Sequence, residues 1–453
     1  MTKSANNPGT SEGAVPSSIE QFDLFSNKSK GKSVSILDGI IEMRYFESIM
    51  QDTLRVTVVY ADTGIGEGGA TDNKSVLEGL PLVGSEKATI RFKDNNDVSI
   101  GKDPGLDLYV NKVTPIINET TRSMISLELV SKEYIMNEKG GTRVNTRMDG
   151  KISDSVDSII KNNLKTEKKL DIEETENNFN FIPNNKKPIY ILEWLSKKSV
   201  PSGGDSKTAG FFFWETSDGF HFKSIEKLLS QEKKKSIVYN ETAQRGGESI
   251  PAGYEIKALE YRTDNKINIQ KKFQMGAYST RMILFNPFST YYEVVVKDAK
   301  EEEESLELAG KELPVLNKEF DSEGEGNNFS RTTYHITDTG TLASGSTQEQ
   351  IDKSREENFE YRNIENEAIR RYNQLFSAET TVTIPGDFSL HAGDMIFVDG
   401  PQLQENPKND EVDKQSGGKY IISDICHFIS SKGTYTKMSV IRDSFGREGS
   451  AAG

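Results

Sequence analysis

Leu54-Arg55-Val56-Thr57-Val58 sets an apolar side chain at every second position. A side chain faces the same side of a strand every second residue, so this stretch reads as a half-buried β-strand. The same alternation returns at Ile90 and Phe92, at Leu106, Leu108 and Val110, and at Ile125, Leu127 and Leu129. Such segments predict antiparallel strands with one covered face, and residues 32–135 are expected to form a β-barrel or sandwich within a domain spanning 31–140. Upstream, Met1 to Ser18 is rich in Ser, Gly, Asn and Pro, and residues 1–30 are expected to form a flexible tail.

Downstream the period becomes helical. Ile152, Val156, Ile159, Ile160 and Leu164 fall on one helical face, with Ser153 or Asp154 available as the cap. Pro188 suits the first turn of a second helix carrying Ile191, Leu192, Trp194 and Leu195, which Pro201 and the following glycines stop. Two aromatic strands then flank a Ser-Asp-Gly turn over Phe211-Phe212-Phe213-Trp214-Glu215-Thr216-Ser217-Asp218-Gly219-Phe220-His221-Phe222. A short amphipathic helix with Ile225, Leu228 and Leu229 follows, which completes a mixed helix and hairpin domain over 141–250. Trp194, Phe211 and Trp214 are candidate partner-contact or core aromatics.

Strand patterns resume near Tyr254, run through Met282 to Phe285 and Tyr291 to Val296, and return at Thr380–Ile384, Asp394–Val398, Lys419–Ile429 and Tyr435–Arg442. A helix is expected from Gln350 to Phe376. These define a discontinuous second β-domain, 251–300 with 347–446, followed by a C-terminal tail over 447–453. Between Asp298 and Gly326 there are 11 acids and 3 lysines, so 301–346 is expected to be a solvated acidic, Gly/Ser-rich insertion.

A chain of 453 residues exceeds what one hydrophobic core serves, and two to four domains are expected. Asp+Glu 70 against Lys+Arg 56 gives a formal net charge of -14, which argues against a groove gripping nucleic acid through its phosphates. Cys426 is the single cysteine, set in an apolar stretch with Ile421, Ile422, Ile425 and Phe428. It excludes an intramolecular disulfide and is expected to be a buried, inert thiol. No run approaches ~18 apolar residues, so neither a spanning helix nor an export signal is expected.

Chemical motifs fail on context. Gly64, Gly66 and Gly69 match the dinucleotide-binding letters, with Glu86 at ribose-ligand spacing, but no helix opens behind them to receive a phosphate. Gly31-Lys32-Ser33 lacks a phosphate loop's first glycine, since Ser26 stands there. Asp321, Glu323 and Glu325 before Gly326 suggest a calcium loop, but Thr332 occupies the position of its closing glutamate. His221, His335, His391 and His427 lie far apart and show no metal-ligand spacing. No nucleophile elbow appears, so no catalytic, cofactor-binding or metal-binding residue is assigned.

Three stretches, in order, resemble the baseplate hub subunit of T-even-like contractile-tailed phages. One is Lys187-Pro188-Ile189-Tyr190-Ile191-Leu192-Glu193-Trp194-Leu195-Ser196 followed by Gly210 to Leu229. Another joins Ile36-Leu37-Asp38-Gly39, Tyr45-Phe46-Glu47-Ser48-Ile49-Met50 and Tyr60 to Gly64. The last joins Thr383-Ile384-Pro385-Gly386, Ala392-Gly393-Asp394, Gly418 to Ile422 and Ile441 to Gly446. The resemblance implies a mainly β fold with an α+β middle region and two tube-type β-barrel domains per chain. It further implies a non-enzymatic homotrimer, whose six barrels form a ring joining a hexameric tail tube or tube initiator to a trimeric central spike among other baseplate proteins. DNA would pass through that ring without specific binding, in a virion tail baseplate assembled in host cytoplasm. A tail-associated cell-wall hydrolase and a receptor-binding tail module are the competing expectations.

Overall fold

The computed structural model describes residues 15–28, 31–63, 74–119, 122–203, 208–239, 250–263, 268–287, 290–298, 306–314, 316–317, 319–320, 331–338, 345–355, 358–401 and 412–451. Residues 64–73 and 321–330, which carry the glycine-rich and calcium-loop letters, lie outside them.

The first β-region contains β1 (Ser18–Phe25), β2 (Ser33–Ser35), β3 (Ile40–Ser48), β4 (Arg55–Asp62), the short helix α1 (Val76–Gly79), β5 (Lys87–Lys93), β6 (Ser99–Ile100), β7 (Leu106–Asn118) and β8 (Ser123–Val130). The neighbour order is β3-β4-β8-β7-β5-β1-β2, with β6 beside β5. Alternation decides what is inside: Val56, Val58, Ile90, Phe92, Leu108, Leu127 and Leu129 share one core. The expected tail is shorter than residues 1–30, because Phe22 and Leu24 enter this core and β1 pairs with both β2 and β5. The bulge between Ile19 and Gln21 breaks the alternation of Ile19 with Phe22 and Leu24, which hides the strand in the sequence.

The middle region begins with α2 (Lys132–Glu138) and α3 (Ile152–Ser158), which continues into a π-helical turn at Ile159–Leu164. Next come β9 (Leu170–Ile172), α4 (Pro188–Ser196), β10 (Phe211–Thr216) and β11 (Gly219–Ser224). Ile152, Val156, Ile159, Ile160 and Leu164 are all fully buried, and α4 starts at Pro188. The cap of α3 differs from expectation: Lys151 is the N-cap residue, and the Ser153 N–H donates to Thr175 Oγ1 at 2.9 Å.

Then follow α5 (Ile225–Leu229), β12 (Lys235–Val238), β13 (Ile256–Lys257), β14 (Glu260–Thr263), α6 (Ile269–Met275), β15 (Ser279–Asn286), β16 (Tyr291–Asp298) and β17 (Arg331–Ile336). The chain finishes with α7 (Thr347–Arg355), α8 (Asn366–Leu375), β18 (Ala378–Pro385), β19 (Met395–Asp399), β20 (Gly418–Ser430) and β21 (Gly433–Arg442). The expected helix over 350–376 is interrupted, since Asn358 to Glu360 are not helical and a π-helical turn at Tyr361–Glu365 precedes α8.

The two β-regions share one sheet. β20 pairs antiparallel with β3, Asp424 opposite Ser48 through Ser430 opposite Glu42, while β21, β18 and β14 extend from its other edge. β12 joins this sheet through β19, so the middle region gives way to the second β-region before residue 250.

Strands β15 and β16, expected in the second β-region, instead form a separate three-stranded sheet with β17. Met282 and Leu284 place its inner face on the middle core, so part of the acidic insertion is ordered as a strand. Another part returns to the second β-region, where Ala309 and Leu313 are buried and Glu312 bridges to Phe445. The expected C-terminal tail docks as far as Ala451, whose carbonyl accepts from Lys233 Nζ and Ser236 Oγ. Arg447 reaches Asp399 at 2.9 Å. Among the described residues no helix is long and apolar enough to cross a membrane.

Candidate functional site

All six residues of β10 are buried, so alternate side chains enter different cores. Phe211 and Phe213 point into the middle core with Phe220 and Phe222, while Phe212 and Trp214 join the core of the second β-region. Phe213 stacks on Phe220 with ring centroids 5.5 Å apart, and Trp214 stacks on His221 at 5.0 Å. The turn demands its glycine: Gly219 has φ +136°, and a Cβ there would lie 2.1 Å from the Lys169 carbonyl oxygen.

Two carboxylates anchor this hairpin to its surroundings. Glu215 accepts from the Leu54 N–H at 3.1 Å, from Ser131 Oγ and from Lys168 Nζ, tying β10 to the first β-region. Lys168 also bonds Glu133 at 2.7 Å. Burial works against the charge on Lys168, but Glu215 and Glu133 outweigh it and raise its pKa.

Glu47, at the end of β3, accepts from the Ser217 N–H at 2.9 Å, the Ala392 N–H at 3.1 Å, Tyr45 Oη at 2.6 Å and His391 Nδ1 at 3.2 Å. Burial alone would raise the pKa of Glu47, but the charge and hydrogen bond of His391, with the other donors, bring it down to about 2. The His391 pKa is correspondingly raised, Glu47 overcoming the cost of burial. Trp214 closes the junction by donating its indole N–H to the Ala392 carbonyl at 3.0 Å. Gly393, at φ +91°, leaves room for the ring, since a Cβ would sit 2.6 Å from Trp214 Cζ2. First β-region, hairpin and second β-region therefore meet at one buried polar node.

Two further nodes hold the remaining segments. Arg371 on α8, almost fully buried, bonds Glu226 and Asp443, both at 2.8 Å. Lys198 lies beneath four aromatic rings, Phe359 at 4.3 Å, Tyr361 at 4.8 Å, Trp194 at 5.2 Å and Phe179 at 5.7 Å, and pairs with Glu365 at 3.0 Å. That cage clamps residues 359–365 onto the middle region.

Of the three aromatics singled out in the sequence, Phe211 and Trp214 are buried and Trp194 is half-buried against the middle core and Lys198. Sequence reasoning missed Glu47 and Glu215, whose separation of 168 residues from each other hides their shared service to one hairpin. It also missed the convergence of His391 and His427 beside Tyr45 and Glu47, where His427 stacks on Tyr45 at 5.8 Å.

Chemically, the site binds parts together. Thr216, His221 and Asp171 form a hydroxyl–imidazole–carboxylate series at 2.9 and 3.3 Å. Thr216 is 2% exposed and also accepts the Asp218 N–H, so its hydroxyl is sealed from substrate. Among the described residues no three His, Cys, Asp or Glu side chains are arranged to hold a metal ion. Cys426 is half-buried on the outer face of β20 rather than enclosed, and burial pushes its thiol up to about 11. Beside the hairpin, a groove of about 950 Å³ is lined by Met50, Asp52, Glu193, Lys272, Met275 and Phe376 among others. Burial and the neighbouring Glu193 push Asp52 up to about 7.

No family model matches the sequence, and no curated protein does. Among solved structures, the tail protein from Neisseria meningitidis MC58 superposes with a TM-score of 0.50 at 9% identity, over 93% of this chain and 96% of that one. The chain shares the fold of a tail protein. The 43 kDa tail protein of prophage MuSo2 from Shewanella oneidensis is similar over 94% of this chain and 98% of its own, with TM-score 0.49 and 11% identity. An E. coli type VI secretion component, itself described as similar to T4 bacteriophage tail proteins, has TM-score 0.41 and 8% identity over 96% and 80%. These neighbours are tail and secretion-system proteins, and the similarity is one of fold.

Proposed function

We propose that this chain is a structural subunit of a phage-type contractile tail baseplate, serving as its central hub. The observation that carries the reading is the β3–β20 pairing, which fuses two β-regions of one chain into a continuous sheet, in a fold shared with a tail protein over nearly its whole length. Two fused β-regions per chain suit a homotrimer of six tube-type units, which matches a sixfold tube on one side and a threefold spike on the other. The acidic balance suits a channel that DNA slides through, because like charge prevents exchange of phosphate counterions for protein cations. Buried nodes at Glu47, Glu215 and Arg371 suit a part that bears load, since they join regions far apart in sequence. The role is scaffolding within the virion tail, with the spike, tube and other baseplate proteins as partners.

Electron-microscopy images of the purified full-length chain test this. A threefold ring with an open pore and six peripheral lobes is the expected result. Solitary particles without a pore, or a ring whose channel is lined by arginine and lysine, would overturn it.

A further inference from the structure

A three-stranded sheet with one face on a core ordinarily turns polar residues outward. The sheet β16-β15-β17 breaks that rule. Its inner face carries Met282 and Leu284, both buried in the middle core. Its outer face is a cross-strand grid: Phe285 lies between Tyr292 and Ile336, Ile283 between Val294 and Tyr334, and Arg281 between Val296 and Thr332. Two of the three rows are wholly apolar or aromatic.

These side chains are open to solvent, with Tyr334 75% exposed, Ile336 69%, Tyr292 65%, Val294 45% and Phe285 42%. Five such side chains present roughly 600 Å² of apolar and aromatic surface. That is at the upper limit of what a monomer leaves uncovered, and close to the roughly 800 Å² that each partner contributes to a stable interface.

We propose that this face is an interface between copies of the chain, the surface through which one subunit seats on the next. Area supports a stable contact, and charge supports a second copy as the occupant. Each copy carries a formal charge of -14, so copies approach most easily through a surface whose described side chains include no carboxylate. Among the described side chains of this face, the charged one is Arg281. In a closed ring each subunit offers one face to each neighbour, so this sheet supplies one half of the contact and a different part of the neighbour supplies the other. The inference rests on the homotrimer proposed above and deepens it by assigning the face.

Sedimentation of the full-length chain over a concentration series tests it, comparing wild type with the double variant Tyr334→Glu/Ile336→Glu and, separately, Tyr292→Glu. Unchanged far-ultraviolet spectra and unfolding midpoints establish that the variants fold, because all three positions are mostly exposed. The expected result is a wild-type trimer and variants whose dissociation constant rises by at least about tenfold. A wild-type trimer that persists unchanged in every variant overturns the assignment of this face and leaves the trimer standing. A wild-type chain that stays single removes both, and one that instead floats with phosphatidylcholine vesicles, in a Tyr334-dependent way, gives the face to lipid.

Discussion

Phe211 to Trp214 in β10 and Tyr291 to Val296 in β16 are both short strands dense in aromatic and β-branched residues, yet they have opposite fates. β10 is buried on both faces, each parity feeding a different core, whereas β16 packs Val295 against the middle core and leaves Tyr292 and Val294 exposed. Composition does not separate them; neighbours do. β10 is enclosed because Glu47 of β3 reaches its turn and its own Glu215 holds the backbone of Leu54, just ahead of β4, while the outer face of β16 has no covering element within the described residues.

Removing the enclosed strand's ring should break the contrast most severely. Trp214→Ala deletes a side chain shared by a core and a junction, and should lower the unfolding free energy by about 4 kcal/mol in chemical denaturation. Lys168→Met leaves Glu215 and Glu133 facing each other without their cation, and a loss of about 3 kcal/mol is expected in the same assay. Lys198→Met empties the aromatic cage of its charge and should cost about 2 kcal/mol, with earlier proteolytic cleavage near residues 359–365 as a second readout.

His391→Asn sharpens the comparison through pH. The folded pKa of His391 is raised above its ordinary 6.5, so its contribution is complete below that value and disappears as pH rises through the raised one. The gap between wild type and variant should be about 1 kcal/mol near pH 6 and close on the alkaline side, followed by denaturation at a series of pH values. At the far end, Tyr334→Ser on the exposed face should move the monomer's stability by less than about 0.5 kcal/mol. If that substitution proved as damaging as Trp214→Ala, the two strands would not differ as described.

The strands and helices with clean periodicity were legible from sequence: Val56 and Val58, Leu127 and Leu129, the α3 face and the Phe211–Phe222 hairpin all stand where alternation or helical spacing puts them. What escaped was set by partners distant in sequence. Phe22 and Leu24 are buried because β5 pairs with them, a relation that an apolar alternation broken between Ile19 and Phe22 does not announce. Met282–Phe285 and Tyr291–Val296 read as strands in any sheet, and their separation from the second β-region follows from pairing with Arg331–Ile336 inside a segment whose acidic composition argued for solvent. The polar nodes were illegible for a related reason. One Glu among 70 acids becomes distinctive only when folding surrounds it with Ser217, Ala392 and His391.

The pairing of Glu42–Ser48 with Asp424–Ser430 also has a consequence for synthesis. A ribosome completes β3 at Ser48, whereas the strand that will cover its open edge begins only at Gly418. Until Gly418–Ser430 is made, that edge is an unpaired template, available to any passing strand. Rapid translation of the residues between the two strands, or a chaperone that shields β3 in the meantime, should therefore decide how much of each batch reaches the native sheet rather than an aggregate.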